Sequence, residues 1–186
     1  GGYSLYYYGY EYPIKLKELN QDNLLDNLDT LEFLVIDTYD TSVLSQDVLY
    51  AIEKWNDAGG VLVIGTGKYA EKTLALFEDS FLELEIDAVY EPGQAPSYES
   101  LDYVDWQELY WTEFWSSSEY YEPYPYQVLL RSYGMGSIGI MPYSLTEVAD
   151  EDDSFYKSTN RQDFVFQLFD VISSESERRY NYNNHS

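Results

Sequence analysis

The chain has 186 residues, 45% of them hydrophobic and 18% aromatic, which is enough apolar material for one buried core and too little length for two ordinary domains. Its 34 Asp and Glu against 10 Lys and Arg give a net charge of −24, a field that repels the polyanionic surfaces of nucleic acid and anionic membrane. No cysteine is present, so disulfides, thiolate metal sites and cysteine nucleophiles are excluded.

Residues 1–13, GGYSLYYYGYEYP, are rich in Gly and Tyr without a clear period and read as a frayed lead-in or an edge strand closed by Pro13. From Ile14 to Leu28 the leucines stand among Lys, Asn and Asp, which suggests a short strand and then a turn or short helix. LEFLVIDTYD, beginning at Leu31, is a continuous apolar run that ends in polar turn residues, as in a strand covered on both faces. Ser45 is placed as a helix N-cap, with Asp47 in the first turn and Val48, Leu49, Ile52 and Trp55 at helical spacing until Gly59 ends the helix. Gly60 leads into the second core strand, VLVIG. Strand, helix and strand in this order form a βαβ unit, which calls for a right-handed crossover and a mostly parallel central sheet flanked by helices.

After Gly65 a short helix is expected over 70–77, and Leu82, Leu84, Ile86 and Ala88 then alternate with acids, as in a near-edge strand with one wet face. Residues 91–126 break the pattern as an aromatic-rich insertion holding three of the four tryptophans, with a helix expected over 102–115. QVLLRSYGMGSIGIMPYSL reads as a late β-hairpin turning at GMG on the sheet's far side. The acidic loop EVADEDDS follows, and a closing helix puts Phe164, Leu168, Val171 and Ile172 inward. The whole, 1–186, is one α/β domain with a flexible tail at 177–186.

The glycine turn GTGKYA, from Gly65, is the first place to look for chemistry. A phosphate loop requires Ser or Thr after Gly-Lys, but Tyr69 follows Lys68; a dinucleotide fingerprint requires a third Gly where Ala70 stands. No cofactor is expected. The one histidine, His185, lies in the tail, which removes a Ser-His-Asp triad, and with no Cys a zinc or iron site would have carboxylates alone. Glu147, Asp150, Glu151, Asp152 and Asp153 offer hard oxygens to calcium, but without EF-hand spacing they read as a solvated loop, and no metal is expected. The longest apolar runs are far below the roughly 20 residues that span a bilayer, so no direct membrane insertion is expected within this chain.

Residues 30–68 and 127–147, with LEFLVIDTYD, the GG-terminated helix, VLVIGTG and YGMGSIGIMPYSLTE in that order, resemble the class I glutamine amidotransferase-like domains of secreted or membrane-attached bacterial proteins. The resemblance implies a flavodoxin-like sheet. Catalytic members of that family use a Cys nucleophile with a later His and Glu, so it also implies a non-catalytic member. It further implies an extracellular or cell-surface location with attachment through parts outside this chain, in keeping with a chain that begins at Gly1 and not Met.

Ligands of open α/β sheets bind beyond the carboxyl ends of the strands, where Asp37, Thr38, Tyr39, Thr66 and Lys68 are expected to converge, with Lys68 able to hold an anion. Trp106, Trp111 and Trp115 are the candidate contacts of the insertion, suited to a carbohydrate or protein partner or else to filling a second small core. The leading expectation is therefore a non-catalytic binding domain. The alternative is a hydrolase of glycans or similar substrates built on a crowded carboxylate pair.

Overall fold

The computed structural model describes residues 4–9, 15–77, 81–86, 98–100, 106–110, 127–144 and 172–173. Within them the chain forms β1 (Ser4–Gly9), β2 (Lys15–Leu19), α1 (Leu24–Asn27), β3 (Phe33–Asp37), α2 (Gln46–Asp57), β4 (Val61–Gly65) and α3 (Ala70–Leu74). There follow β5 (Leu84–Ile86), β6 (Tyr98–Ser100), β7 (Gln107–Tyr110), β8 (Gln127–Tyr133) and β9 (Gly136–Met141).

Seven strands make one mixed sheet in the order β2-β1-β3-β4-β9-β8-β7, and β5 and β6 pair separately. The fold is mixed α/β. Parallel pairing is confined to the centre, where β4 lies between β3 and β9. Both flanks are antiparallel, which corrects the expectation of a mostly parallel sheet. The βαβ unit is present as β3, α2 and β4, but the strands added on either side arrive through antiparallel partners and need no crossover helix.

Every residue of β3, β4 and β9 is buried, as in strands covered on both faces, including the polar Asp37 of β3 and Ser137 of β9. Leu34, Ile36, Leu62, Ile64, Ile138 and Ile140 share the core with Val48, Leu49, Ile52 and Trp55 of α2. On the opposite face Ile172, inward as expected, packs over Gly139. Burying a Leu or Ile side chain stabilises by about 1.5–3 kcal/mol, so these strands and α2 dominate the stability of the fold.

Several local expectations change. β1 is not an edge strand, because β2 covers its outer side. Ser45 occupies the N-cap position of α2 with extended backbone, but its side chain makes no capping bond. Gly59 ends that helix at φ +123°, a conformation strained for any side-chain-bearing residue. α3 stops at Leu74, and Phe81 and Leu82 are helical, so the strand expected from Leu82 begins at Leu84 and lies in the small sheet.

Residues 107–110, expected to be helical, form β7 against β8; the aromatic spacing suits a helix, but hydrogen bonding to an adjacent strand decides the conformation. The hairpin turns at Gly134 (φ 57°) as anticipated. Its return strand β9 is not at the far side of the sheet but beside central β4. Phe164, Leu168, Val171, the acidic loop 147–153 and the tail lie outside the described residues. Among the described residues no helix is long and apolar enough to cross a membrane.

Candidate functional site

The carboxyl ends of β3, β4 and β9 are in register, with Asp37 opposite Gly65 and Gly65 opposite Met141. Each strand therefore delivers a polar residue to the same edge. Asp37 is the last residue of β3 and only 2% exposed. Its Oδ2 accepts a hydrogen bond from Ser144 Oγ at 3.1 Å. The carboxylate lies over Gly65, where a Cβ would fall inside the van der Waals surface of Asp37 Oδ1. Glycine is therefore needed at 65 for the close approach of an acid, not for phosphate binding.

Thr38 takes the next step with φ 53°, in the left-handed region that β-branched residues avoid. Its amide donates to Gly65 O at 2.9 Å, which holds the β3 exit against the β4 exit. Strain of this kind, of order 1–3 kcal/mol, persists where surrounding structure over-determines the backbone, and such positions cluster at ligand clamps and active sites.

Thr66 is fully buried and ties the third strand in. Its amide is shared between Met141 O at 3.1 Å and Tyr143 O at 3.0 Å, and its hydroxyl donates to Met141 O at 2.8 Å. A second hydroxyl, that of Tyr98 on β6, lies 2.8 Å from Thr66 Oγ1. A threonine hydroxyl carries one proton, and here the carbonyl of Met141 takes it, so Tyr98 must be the donor to Thr66. The edge is thus a short hydroxyl and carboxylate network joining three strands of the main sheet to one strand of the small sheet.

The expected site residues divide into groups. Asp37, Thr38 and Thr66 are brought together as expected. Tyr39 is half-buried and turns to Gln21, donating to its Oε1 at 3.2 Å; burial first, then Asp40 and Asp22, raises its phenol above the usual tyrosine value. Lys68 is exposed on the turn Gly67–Tyr69 with its ammonium 5.1 Å from the Tyr69 ring centroid, outside the hydrogen-bonded group. It does not complete an anion site with Asp37.

Trp106 belongs to a different cluster, since its indole N–H donates to Leu82 O at 3.2 Å and its ring lies 5.9 Å from the Arg131 guanidinium. Trp111 and Trp115 lie outside the described residues. Ser144 and Tyr98 are the members that the sequence reading missed. Ser144 was within reach of the carboxyl-end rule once β9 was recognised as a central parallel strand; Tyr98 carries no local signal, because it stands in the aromatic segment among many tyrosines.

The second cluster is built on Arg131 of β8, whose side chain is 13% exposed. Its Nη1 donates to Phe81 O at 3.1 Å and Leu82 O at 2.8 Å, and its Nη2 to Glu83 Oε2 at 3.0 Å. Its guanidinium also lies 5.5 Å from the Tyr133 ring, which meets Phe81 edge-on at a centroid distance of 4.8 Å. The planar fork suits this task, collecting two carbonyls and a carboxylate at once. This cluster secures the chain just before β5.

Chemically, the carboxyl-edge network has one acid and no strong base. Asp37 is the only buried acid among the described residues, so no buried carboxylate pair is formed there. A carboxylate accepting from a serine is too weak a base to activate it, and nucleophilic serines rely on a stronger partner. Among the described residues no group of three or more His, Cys, Asp or Glu could hold a metal ion. Comparison with protein families, with curated proteins and with solved structures finds no match to this chain.

Proposed function

We propose that the chain is a non-catalytic ligand-binding domain of the glutamine amidotransferase-like kind, belonging to a larger bacterial surface or membrane protein and recognising a carbohydrate or protein at the carboxyl edge of β3, β4 and β9. The observation that carries this reading is the convergence of Asp37, strained Thr38, Thr66 and Ser144 where those strands end. The central β3, α2 and β4 unit, with β9 parallel beside β4, supports the finer fold comparison. The absence of cysteine from the chain supports a binding role over amidotransfer.

The groups at this edge favour a ligand that donates hydrogen bonds. Asp37 and the carbonyls of Met141 and Tyr143 accept, and Thr66 accepts from its neighbour on β6. A net charge of −24 adds a field that favours neutral or cationic ligands over anions. Glycan hydroxyls and protein ammonium or amide groups both fit.

The test is thermal unfolding of the chain in the presence of oligosaccharides, amino acids, nucleotides, and calcium with a chelator control. A ligand at 100 times its Kd should stabilise by about 2.7 kcal/mol. Thr66→Val should abolish the shift, and Lys68→Ala should leave it in place. Recovery of the glycan intact after long incubation distinguishes binding from hydrolysis. If no member of the panel moves the midpoint, a small-molecule site at this edge is wrong.

A further inference from the structure

The helix α2 buries one side and leaves the other to solvent. Val48, Leu49, Ile52, Trp55 and Asn56 are buried, whereas Gln46, Asp47, Tyr50, Lys54 and Asp57 are exposed and Glu53 is half-buried. At about 100° per residue the outward group fills an arc of about 120° with Tyr50 near its middle. Tyr50 is 61% exposed, although a large aromatic ring gains much from burial. Val43 and Met135 are exposed to a similar degree. Val43 comes just before the N-cap residue Ser45, and the amide of Met135 donates to Asp57 O at 2.8 Å. Three of the four large hydrophobic residues exposed among the described residues therefore stand at the start, middle and end of one helix.

The same side of α2 is acidic. Asp47 and Glu53 stand three positions before and after Tyr50, a spacing that makes them its neighbours on the helix surface. Glu53 and Asp57 lie toward the carboxyl end of the helix, where the macrodipole disfavours negative charge, and Lys54 alone opposes them. Among the described residues none of Asp47, Glu53 and Asp57 is in an ion pair. Their field is felt nearby, since the Tyr133 phenol is held high by burial first and then by Glu53 and Asp57. Acids where they weaken a helix, beside an aromatic ring left out of the core, break two local rules in one place, as functional surfaces do.

We propose that the outward side of α2 is a docking surface for a cationic segment of a partner protein, one that carries Lys or Arg beside apolar side chains. The Tyr50 ring supplies the central contact, Val43 and Met135 supply apolar contacts at the two ends, and Asp47, Glu53 and Asp57 pair with the partner's cations. Charge decides for this occupant over a second copy of the chain, because a copy at net charge −24 would bring its own acids to the interface. The surface is on the helix and not at the carboxyl edge of the sheet, so it stands independently of the binding role proposed above.

Fluorescence anisotropy of a labelled synthetic peptide of alternating Lys and Leu, titrated with the whole chain at about 50 mM salt, tests the surface. The Lys peptide should bind, and a control peptide with Glu in place of Lys should not. Tyr50→Ala leaves the net charge unchanged and should weaken binding about tenfold, as the loss of a central aromatic contact does; Tyr50→Phe keeps the ring and should bind within about twofold of the parent. Asp47→Asn with Glu53→Gln should weaken binding about fivefold and flatten its salt dependence. Glu85→Gln with Glu99→Gln removes two exposed charges from the small sheet and should change binding less than about twofold. Thr66→Val should leave peptide binding unchanged, which separates this surface from the carboxyl edge. The surface is overturned if the Lys peptide fails to bind, if Tyr50→Ala binds as tightly as the parent, or if the two double variants lose affinity equally, since attraction would then come from the field of the whole protein. A dimer in sedimentation that Tyr50→Ala dissociates would also overturn it, in favour of a second copy.

Discussion

Gly65→Ala is the sharpest test of how the carboxyl edge is assembled. The added methyl would enter the van der Waals surface of Asp37 Oδ1, and would lie 3.2 Å from Asp37 Cγ and 3.3 Å from Tyr143 O. Asp37 is 2% exposed, so its carboxylate cannot swing into solvent without unpacking the edge. Forcing a methyl into a packed interior costs about 1–3 kcal/mol. Displacing the carboxylate also weakens the 3.1 Å bond from Ser144, and bonds to charged groups contribute about 1.5–3 kcal/mol. Both costs fall on one side chain and are not fully additive, which gives an expected loss of about 3 kcal/mol. Urea unfolding followed by far-ultraviolet circular dichroism measures it, with m unchanged if the unfolded state is the same. In an Asp37→Ala background the obstruction is gone, so the same substitution should cost less than about 1 kcal/mol, a coupling typical of touching residues. An equal cost in both backgrounds would refute the claim that Gly65 is required by the acid.

Gly59→Ala tests backbone strain alone, because at φ +123° no atom lies within 4 Å of the new methyl; urea unfolding should show a loss of about 1–2 kcal/mol. Thr41→Val should cost about 2–3 kcal/mol in the same assay, since the buried Thr41 hydroxyl donates to Thr73 O at 3.0 Å and accepts from Leu76 N at 2.9 Å; Thr41→Ser should recover most of it. The Tyr133 phenol is held above the ordinary tyrosine value of 10.0 by burial and then by Glu53 and Asp57. The folded state therefore keeps this proton longer than the unfolded state, so the contribution is complete below pH 10.0 and is lost as pH rises beyond it; a pH series of urea midpoints should decline less steeply there for Tyr133→Phe.

What could be read in advance is what depends on neighbours in sequence. FLVI and VLVIG are apolar throughout and so call for cover on both faces, and Val48, Leu49, Ile52 and Trp55 share one side of a helix by spacing alone. Asp37, Thr38 and Thr66 follow from those strands, because the residues after parallel strands that pair in register lie side by side. The partners of those residues could not be read in the same way. Ser144 reaches Asp37 across 107 positions, and Tyr98 reaches Thr66 across 32, each through pairings that no local period encodes. The same limit explains β7: the aromatic spacing at 103–114 fits a helix, yet Gln107–Tyr110 has a strand of β8 to pair with, and even the closest pair, Tyr110 and Gln127, is 17 positions apart. Lys68 shows the reverse error, where nearness in sequence to Thr66 suggested a shared site but the turn Gly67–Tyr69 leaves the ammonium in solvent.

The two ends of the parallel strands divide the work of the fold. At the amino end of β4 and β9 the Asn56 amide donates to Gly60 O at 2.8 Å and Ser137 O at 2.9 Å, the Trp55 indole donates to Leu31 O at 2.9 Å, and Met135 N donates to Asp57 O at 2.8 Å. These bonds join α2, the β8–β9 turn and the sheet, all of which lose their packing only when the core opens. The carboxyl end is held by the backbone bonds of Thr38 and Thr66 together with the side-chain hydroxyls of Thr66, Ser144 and Tyr98. The amino end therefore opens only with the core, whereas the carboxyl end is closed by polar groups of the loops that leave the strands. That division is what the proposed binding edge requires: a rigid sheet that fixes Asp37 and Thr66 in place, with the residues of the connecting loops set around them.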